Sequence, residues 1–278
     1  MANTTSFVYT LVYFLSDVLP FFSLLFWIAF LNYRVDLALK VIAGSSDLRK
    51  LSSYQIMAII AFLECCQMTG NFTGGIMLIA NTMFLEEIAF VFGNIILVTW
   101  LVLIFLRFVL ALNRFVVITN IGILSFMKAR IVHVTVLLLS LIMLIAFITV
   151  AAVSKDTYVI SIKDASWIYT KMNEIASIET VLATGFTPAT FALYALTCLH
   201  VLKIRSQMSM SSMGEIRLLV SCACGFFYEM ITILLFHYVL PNVNIHEADY
   251  AICGTFWGFI PGFNGIMLLW LNKLVCFC

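Results

Sequence analysis

Apolar residues in this chain come in long runs separated by short polar breaks. The runs fall at about 8–31, 54–79, 88–112, 131–153, 175–202, 216–240 and 250–272. Each can cross a bilayer as a helix, which takes roughly 20 apolar residues. The stretch from Ile88 to Leu106 carries no charge at all. The pattern predicts an all-α, polytopic membrane protein: one seven-helix transmembrane domain over residues 1–278. No internal repeat relates the two halves, which weakens a transporter built from inverted repeats.

Lys and Arg positions orient the spans. One set of loops carries Arg34, Lys40, Arg49, Lys50, Arg114, Lys128, Arg130, Lys203, Arg205, Arg217 and Lys273, against Lys155, Lys163 and Lys171 on the other. The positive-inside rule then puts the N-terminus outside, the C-terminus in the cytoplasm and Arg114 at the inner face. Segment 32–53 is long for an inner connection, with Gly44-Ser45-Ser46-Asp47 its natural break. The largest outer loop, 154–174, mixes charges around Trp167 and Tyr169. It can lie over a cavity with both rings at headgroup depth.

Composition agrees with the pattern. Hydrophobic residues make up 63% of the 278 and charged residues 10%, with a mean hydropathy of +1.10. Soluble domains carry roughly 25% charged residues. A net charge of +1 without any Lys/Arg-dense tract gives no footing for nucleic acid. The first ten residues lack the basic start of a secretory signal, so the first span is expected to stay in the mature chain. Six of the eight cysteines fall in or beside apolar runs, where the default is a small buried hydrophobe. Cys222-x-Cys224 has no second pair or histidine at zinc-like spacing, and the four histidines are scattered. No nucleophile elbow appears. The sequence predicts neither an enzyme nor a cofactor. Lys273, the only lysine in the last span, lies at its inner end, which disfavours a retinal Schiff base.

The run Arg107-Phe-Val-Leu-Ala-Leu-Asn113-Arg114-Phe115 closes the third span. Arg107 and Arg114 are seven apart, about two turns, and share a face. Arg114 can sit at the water boundary and Arg107 can snorkel towards it. Such arginines suit a switch that meets a cytoplasmic partner, or an anchor that merely orients the span. Glu64 lies about 15 Å into the second span, near the midplane. A carboxylate there must be protonated, paired or hydrated. Asn94 and Asn264 are candidate partners, in either a two-state polar hub or simple helix glue. Asp17, Glu179 and Glu229 are further intramembrane acids. With His237 and the rim residues Glu86, Glu87, Glu174, His246, Glu247 and Asp249, they outline an acid-rich mouth. Such a mouth suits a cationic or hydrogen-bonding small ligand, or it is merely solvated. Pro20, Pro188 and Pro261 interrupt spans one, five and seven, and Pro261-Gly-Phe-Asn264 reads as a hinge.

Seven spans, this topology and Ala-Leu-Asn113-Arg114-Phe115 together resemble nematode G-protein-coupled chemoreceptors, most closely serpentine receptor class T. Lys50-Leu-Ser-Ser-Tyr54-Gln-Ile-Met57 entering span two is similar to that class, as are the acid at Glu64 and the ending Asn264 … Leu271-Asn272-Lys273. The resemblance implies a bundle of the rhodopsin-like receptor type in the plasma membrane, such as that of sensory cilia. It implies a small-molecule ligand in the outer cavity and a heterotrimeric G protein at the inner face. Arg114, with Asn113 and Arg107, would then serve G-protein coupling. Glu64, Asn94, Asn264 and Pro261 would form the polar switch, and Glu179, Glu229, His237 and Trp257 are candidates for the pocket.

Three departures stand out. Asn113 leaves Arg114 without an adjacent carboxylate. The order Pro261 … Asn264 reverses the Asn-Pro order of many receptors. Loop 154–174 lacks the cysteine that usually ties it to span three. The tail is short, with Cys276 and Cys278 as lipidation candidates. Asn3-Thr-Thr5 is a glycosylation sequon. A proton- or cation-coupled transporter or channel using Glu64, Asn94 and Glu229 is the alternative.

Overall fold

The computed structural model describes residues 52–83, 86–119, 130–154, 158–162, 166–169, 174–204, 213–239, 254, 256–260 and 263. Span one with Asp17 and Pro20, the sequon at Asn3, and Pro261, Asn264, Cys276 and Cys278 lie outside the described residues.

Spans two to six are helices over Ser52–Ile79, Glu86–Thr119, Arg130–Ser154, Glu174–Ile204 and Met213–Leu234. The last continues as a π-helical turn over Leu235–Val239. Four described helices are long and apolar enough to cross a membrane, and Val134–Val150 adds a shorter apolar one. Their outward faces are apolar as well. Leu138, Ile142, Ile145 and Val153 on span four, and Val181, Leu199 and Leu202 on span five, are exposed. A water-facing protein does not carry so continuous an apolar surface, whereas hydrocarbon makes it free of cost. The hydroxyls obey the same solvent. Thr69, Thr73, Ser140, Thr190 and Thr232 each donate to the carbonyl four residues back, which satisfies them without water.

Span three is the axis. It is buried at nineteen positions from Ala89 to Val116 and packs against spans two, four and five and the strand Tyr158–Ser161. Ile56, Ile60 and Leu63 of span two meet Val102, Leu103 and Leu106 of span three. Towards the other end Ala111 joins Tyr194, Leu219 and Phe226 of spans five and six. The helix runs seven residues past the expected end at 112, because Phe115, Val116 and Val117 keep the apolar run going beyond Arg114. Glu86 and Glu87 open it, where two carboxylates suit the positive end of the helix dipole.

Span two closes in a helix-capping turn. Asn81 takes a left-handed φ of 50°, with Thr82 N donating to Met77 O and Asn81 N to Leu78 O, the paired bonds that end many helices. Span five runs unbroken through Pro188, which leaves the Thr184 carbonyl without its usual N–H donor.

Loop 154–174 holds a β-hairpin that the hydropathy pattern does not predict. Strand β1 (Tyr158–Ser161) pairs antiparallel with β2 (Ser166–Tyr169), with Tyr158 opposite Tyr169 and Ile160 opposite Trp167. Tyr158 and Ile160 are buried because this face lies on the bundle. A methyl group on Gly93 of span three would collide with the Tyr158 backbone carbonyl, and one on Gly74 of span two would lie 2.7 Å from the Trp167 ring. Two glycines thus make the seat for the hairpin.

Candidate functional site

Three polar layers lie along span three. At the middle layer Arg107 is buried, and its guanidinium forks between two acids. Nη2 donates to Glu64 Oε1 of span two at 3.0 Å and Nη1 to Glu229 Oε2 of span six at 2.8 Å. These side chains are no more than 3% exposed. Arg107 therefore does not snorkel to the inner boundary. The charge is already neutralised where it stands, and the two acids hold it. Nor does Glu64 take Asn94 as its partner. The Asn94 carboxamide donates from Nδ2 to Phe90 O of its own helix at 2.8 Å. Glu229, a pocket candidate from sequence, is a member of this ion trio.

The layer on the hairpin side gathers around Glu179 of span five, also buried. Its Oε1 accepts from Trp100 Nε1 at 3.2 Å and its Oε2 from the Tyr169 hydroxyl of β2 at 3.1 Å. His237 Nε2, in the π-turn of span six, stands 3.8 Å from Oε1 and has no hydrogen-bond partner. Trp257 lies against Trp100 with ring centroids 4.5 Å apart, and Phe236 is 5.4 Å from Trp257. Three of the four sequence candidates for the pocket (Glu179, His237 and Trp257) thus meet in one cluster under the hairpin. The Tyr169 hydroxyl reaches from the hairpin into the bundle. Burial, with the negative charge of Glu179 beside them, raises the ionisation of the Tyr158 and Tyr169 hydroxyls above the ordinary tyrosine range. Both stay protonated at neutral pH, so Tyr169 remains a donor.

Trp100 joins the two layers, and sequence reasoning passed over it. Its indole N–H bonds Glu179 on one side, and the Arg107 guanidinium lies 5.7 Å from its ring on the other, within cation–π range. The signal was available: a buried tryptophan N–H in mid-span must find an acceptor, and Glu179 is an acid needing donors.

The third layer lies near the opposite end. Asn113 and Arg114 are buried, Arg114 being 7% exposed. Arg114 Nη2 contacts Met57 Sδ of span two at 3.2 Å, while Nε has no partner. Among the described residues no carboxylate pairs with it. It sits just before the last turn of a helix that continues to Thr119.

A buried ion trio in mid-bundle, an aromatic–carboxylate cluster at one end and an arginine at the other fit a seven-span receptor. The sequence profile of the serpentine-type seven-transmembrane G-protein-coupled chemoreceptors, Srt, matches residues 23–276. The chain belongs to the Srt chemoreceptor family. This makes it a multi-pass membrane protein with the seven-helix receptor fold, and the described helices supply spans two to six. No curated protein matches it.

Proposed function

We propose that this Srt member binds a small ligand beneath the β-hairpin and activates a heterotrimeric G protein at the end that holds Arg114. The observation that carries the reading is the continuous path Glu179–Trp100–Arg107–Glu64/Glu229. It ties the outer cluster to charges that clamp spans two, three and six together. A cationic or hydrogen-bonding ligand at Glu179 competes with the Trp100 N–H for Oε1. Shifting Trp100 alters the aromatic face over Arg107, and with it the balance between Glu64 and Glu229. A ligand moves such an equilibrium only by its difference in affinity for the two packings. The outcome is movement of span six and release of Arg114 from its place beside Met57 towards the G protein. Asn113, Arg107, Asn264 and Pro261 complete the coupling region and the hinge. The orientation is N-terminus outside and C-terminus in the cytoplasm, in the plasma membrane.

A cation-conducting path through Glu64 and Glu229 is the weaker reading. Both carboxylates are engaged by the Arg107 guanidinium, which competes for them with any passing cation.

The test is a screen of small amines and neutral ligands read by G-protein activation in cells. Arg114→Ala should abolish the evoked signal at unchanged surface expression, and Glu179→Gln should lower ligand potency about tenfold or more. Full signalling by Arg114→Ala removes the assignment.

A further inference from the structure

Away from the outer cluster, spans two, three and four leave a crevice of about 380 Å³ between them. That lies in the range of small-molecule sites. Phe62, Cys66, Val91, Asn94, Thr99 and Ile148 are among its walls. Phe62, Val91 and Ile148 are also more than half exposed on the outside of the bundle. In a membrane-spanning chain that outside is hydrocarbon, so the crevice opens sideways into the bilayer.

Its walls are apolar apart from three groups. Cys66 offers only a weak thiol. Thr99 Oγ1 is committed to Ile95 O and Ile96 O of its own helix, at 2.6 and 3.0 Å. Asn94 differs. Its Nδ2 is used on Phe90 O, but its Oδ1 is buried with no hydrogen-bond partner at all. An amide oxygen left so in a lipid-facing crevice is expensive. A trapped water needs two to four polar partners, more than these walls offer. Acyl chains fill such a space without donating. What satisfies both walls and acceptor is an apolar molecule with a single hydroxyl.

Size narrows the class further. From Phe90 to Thr99 the crevice follows nine residues of helix, about 13 Å. Below Asn94 only five residues remain, about 7 Å. A rigid sterol anchored by its hydroxyl at Asn94 would overrun that depth, whereas a flexible alkyl alcohol such as decanol can fold back and stay compact within the volume. We infer that the crevice between spans two, three and four binds a compact, neutral, apolar alcohol that arrives through the bilayer and donates its hydroxyl to Asn94 Oδ1. The site is separate from the Glu179 cluster in place and in ligand chemistry, and it stands whether or not that cluster binds anything.

Cys66 provides the reporter. It is a free, partly exposed cysteine in the crevice wall, while its neighbour Cys65 serves as the internal control. The full-length receptor in lipid nanodiscs is reacted with a membrane-permeant maleimide, with decanol, decane or cholesterol present, and each cysteine is quantified by peptide fragmentation. Decanol is expected to slow Cys66 labelling about tenfold more than equimolar decane, the worth of one hydrogen bond, with Cys65 unaffected. In Asn94→Leu, of similar volume, that advantage should vanish while apolar protection by decane remains. Equal protection by decane and decanol, or an advantage that survives Asn94→Leu, overturns the assignment in favour of an ordinary lipid groove. Protection by cholesterol at the level of decanol overturns the compact-ligand class in favour of a sterol.

Discussion

Arg107 carries a charge that hydrocarbon does not tolerate alone, and two acids from different helices answer it. Taking away one partner of such a group is far costlier than replacing the whole, because the remaining charges stay buried. Arg107→Met is therefore expected to lose about 3–5 kcal/mol, seen as retention inside the cell and a lower unfolding temperature in detergent. The triple variant Arg107→Met, Glu64→Gln, Glu229→Gln should recover most of that stability and yet give no ligand response. A single variant that traffics and melts like wild type would show that the trio clamps nothing. Part of the site was legible at this scale. Glu64, Arg107 and Glu229 are all charges inside spans, and such charges pair. The partner choice was not legible. Hydropathy runs fix neither helix rotation nor which neighbour a residue faces, so Asn94 and Asn264 were the expected partners of Glu64 and Arg107 was expected to turn towards the boundary.

The elements follow the hydropathy runs closely, with spans two, four and five within a few residues of expectation. Hydrogen bonding inside lipid leaves a long apolar segment no alternative to a helix. The hairpin escaped because eight paired residues carry little signal in a loop that mixes in several charges. In retrospect Tyr-Val-Ile-Ser and Ser-Trp-Ile-Tyr have the aromatic and β-branched composition of strands, either side of a polar turn. Its seat can be tested. In Gly93→Ala the new methyl meets the Tyr158 carbonyl, backbone that cannot rotate away. β1 must lift, and Tyr169 is drawn off Glu179. The expected result is ligand potency reduced about tenfold or more, through loss of a hydrogen bond and of preorganisation, with surface expression near wild type. Gly185→Ala has nothing within 4 Å of its new methyl and serves as the matched control. Equal potency in both variants would show that the hairpin takes no part in recognition.

For the molecule as a whole, the question is which face meets the cytoplasm, since every role given to Arg114 depends on it. Helix packing is indifferent to orientation; the same bundle is stable either way up. The asymmetry lies in the loops. Eleven Lys and Arg residues flank one face and three the other, and basic residues resist translocation. The bundle itself is polarised in the same sense. Glu86, Glu87, Glu179 and the hairpin mark one end, and Arg114 the other. A glycosylation acceptor inserted beside Lys163, between the two strands, should be modified in cells, and one inserted beside Lys128 should not. The charge ratio requires this result, and no ligand or G protein is needed to obtain it. Modification at Lys128 alone would turn the bundle over and put Arg114 at the exterior. The hairpin would then face the cytosol, and the path through Trp100 would run from an inner signal outwards, the reverse of a chemosensor.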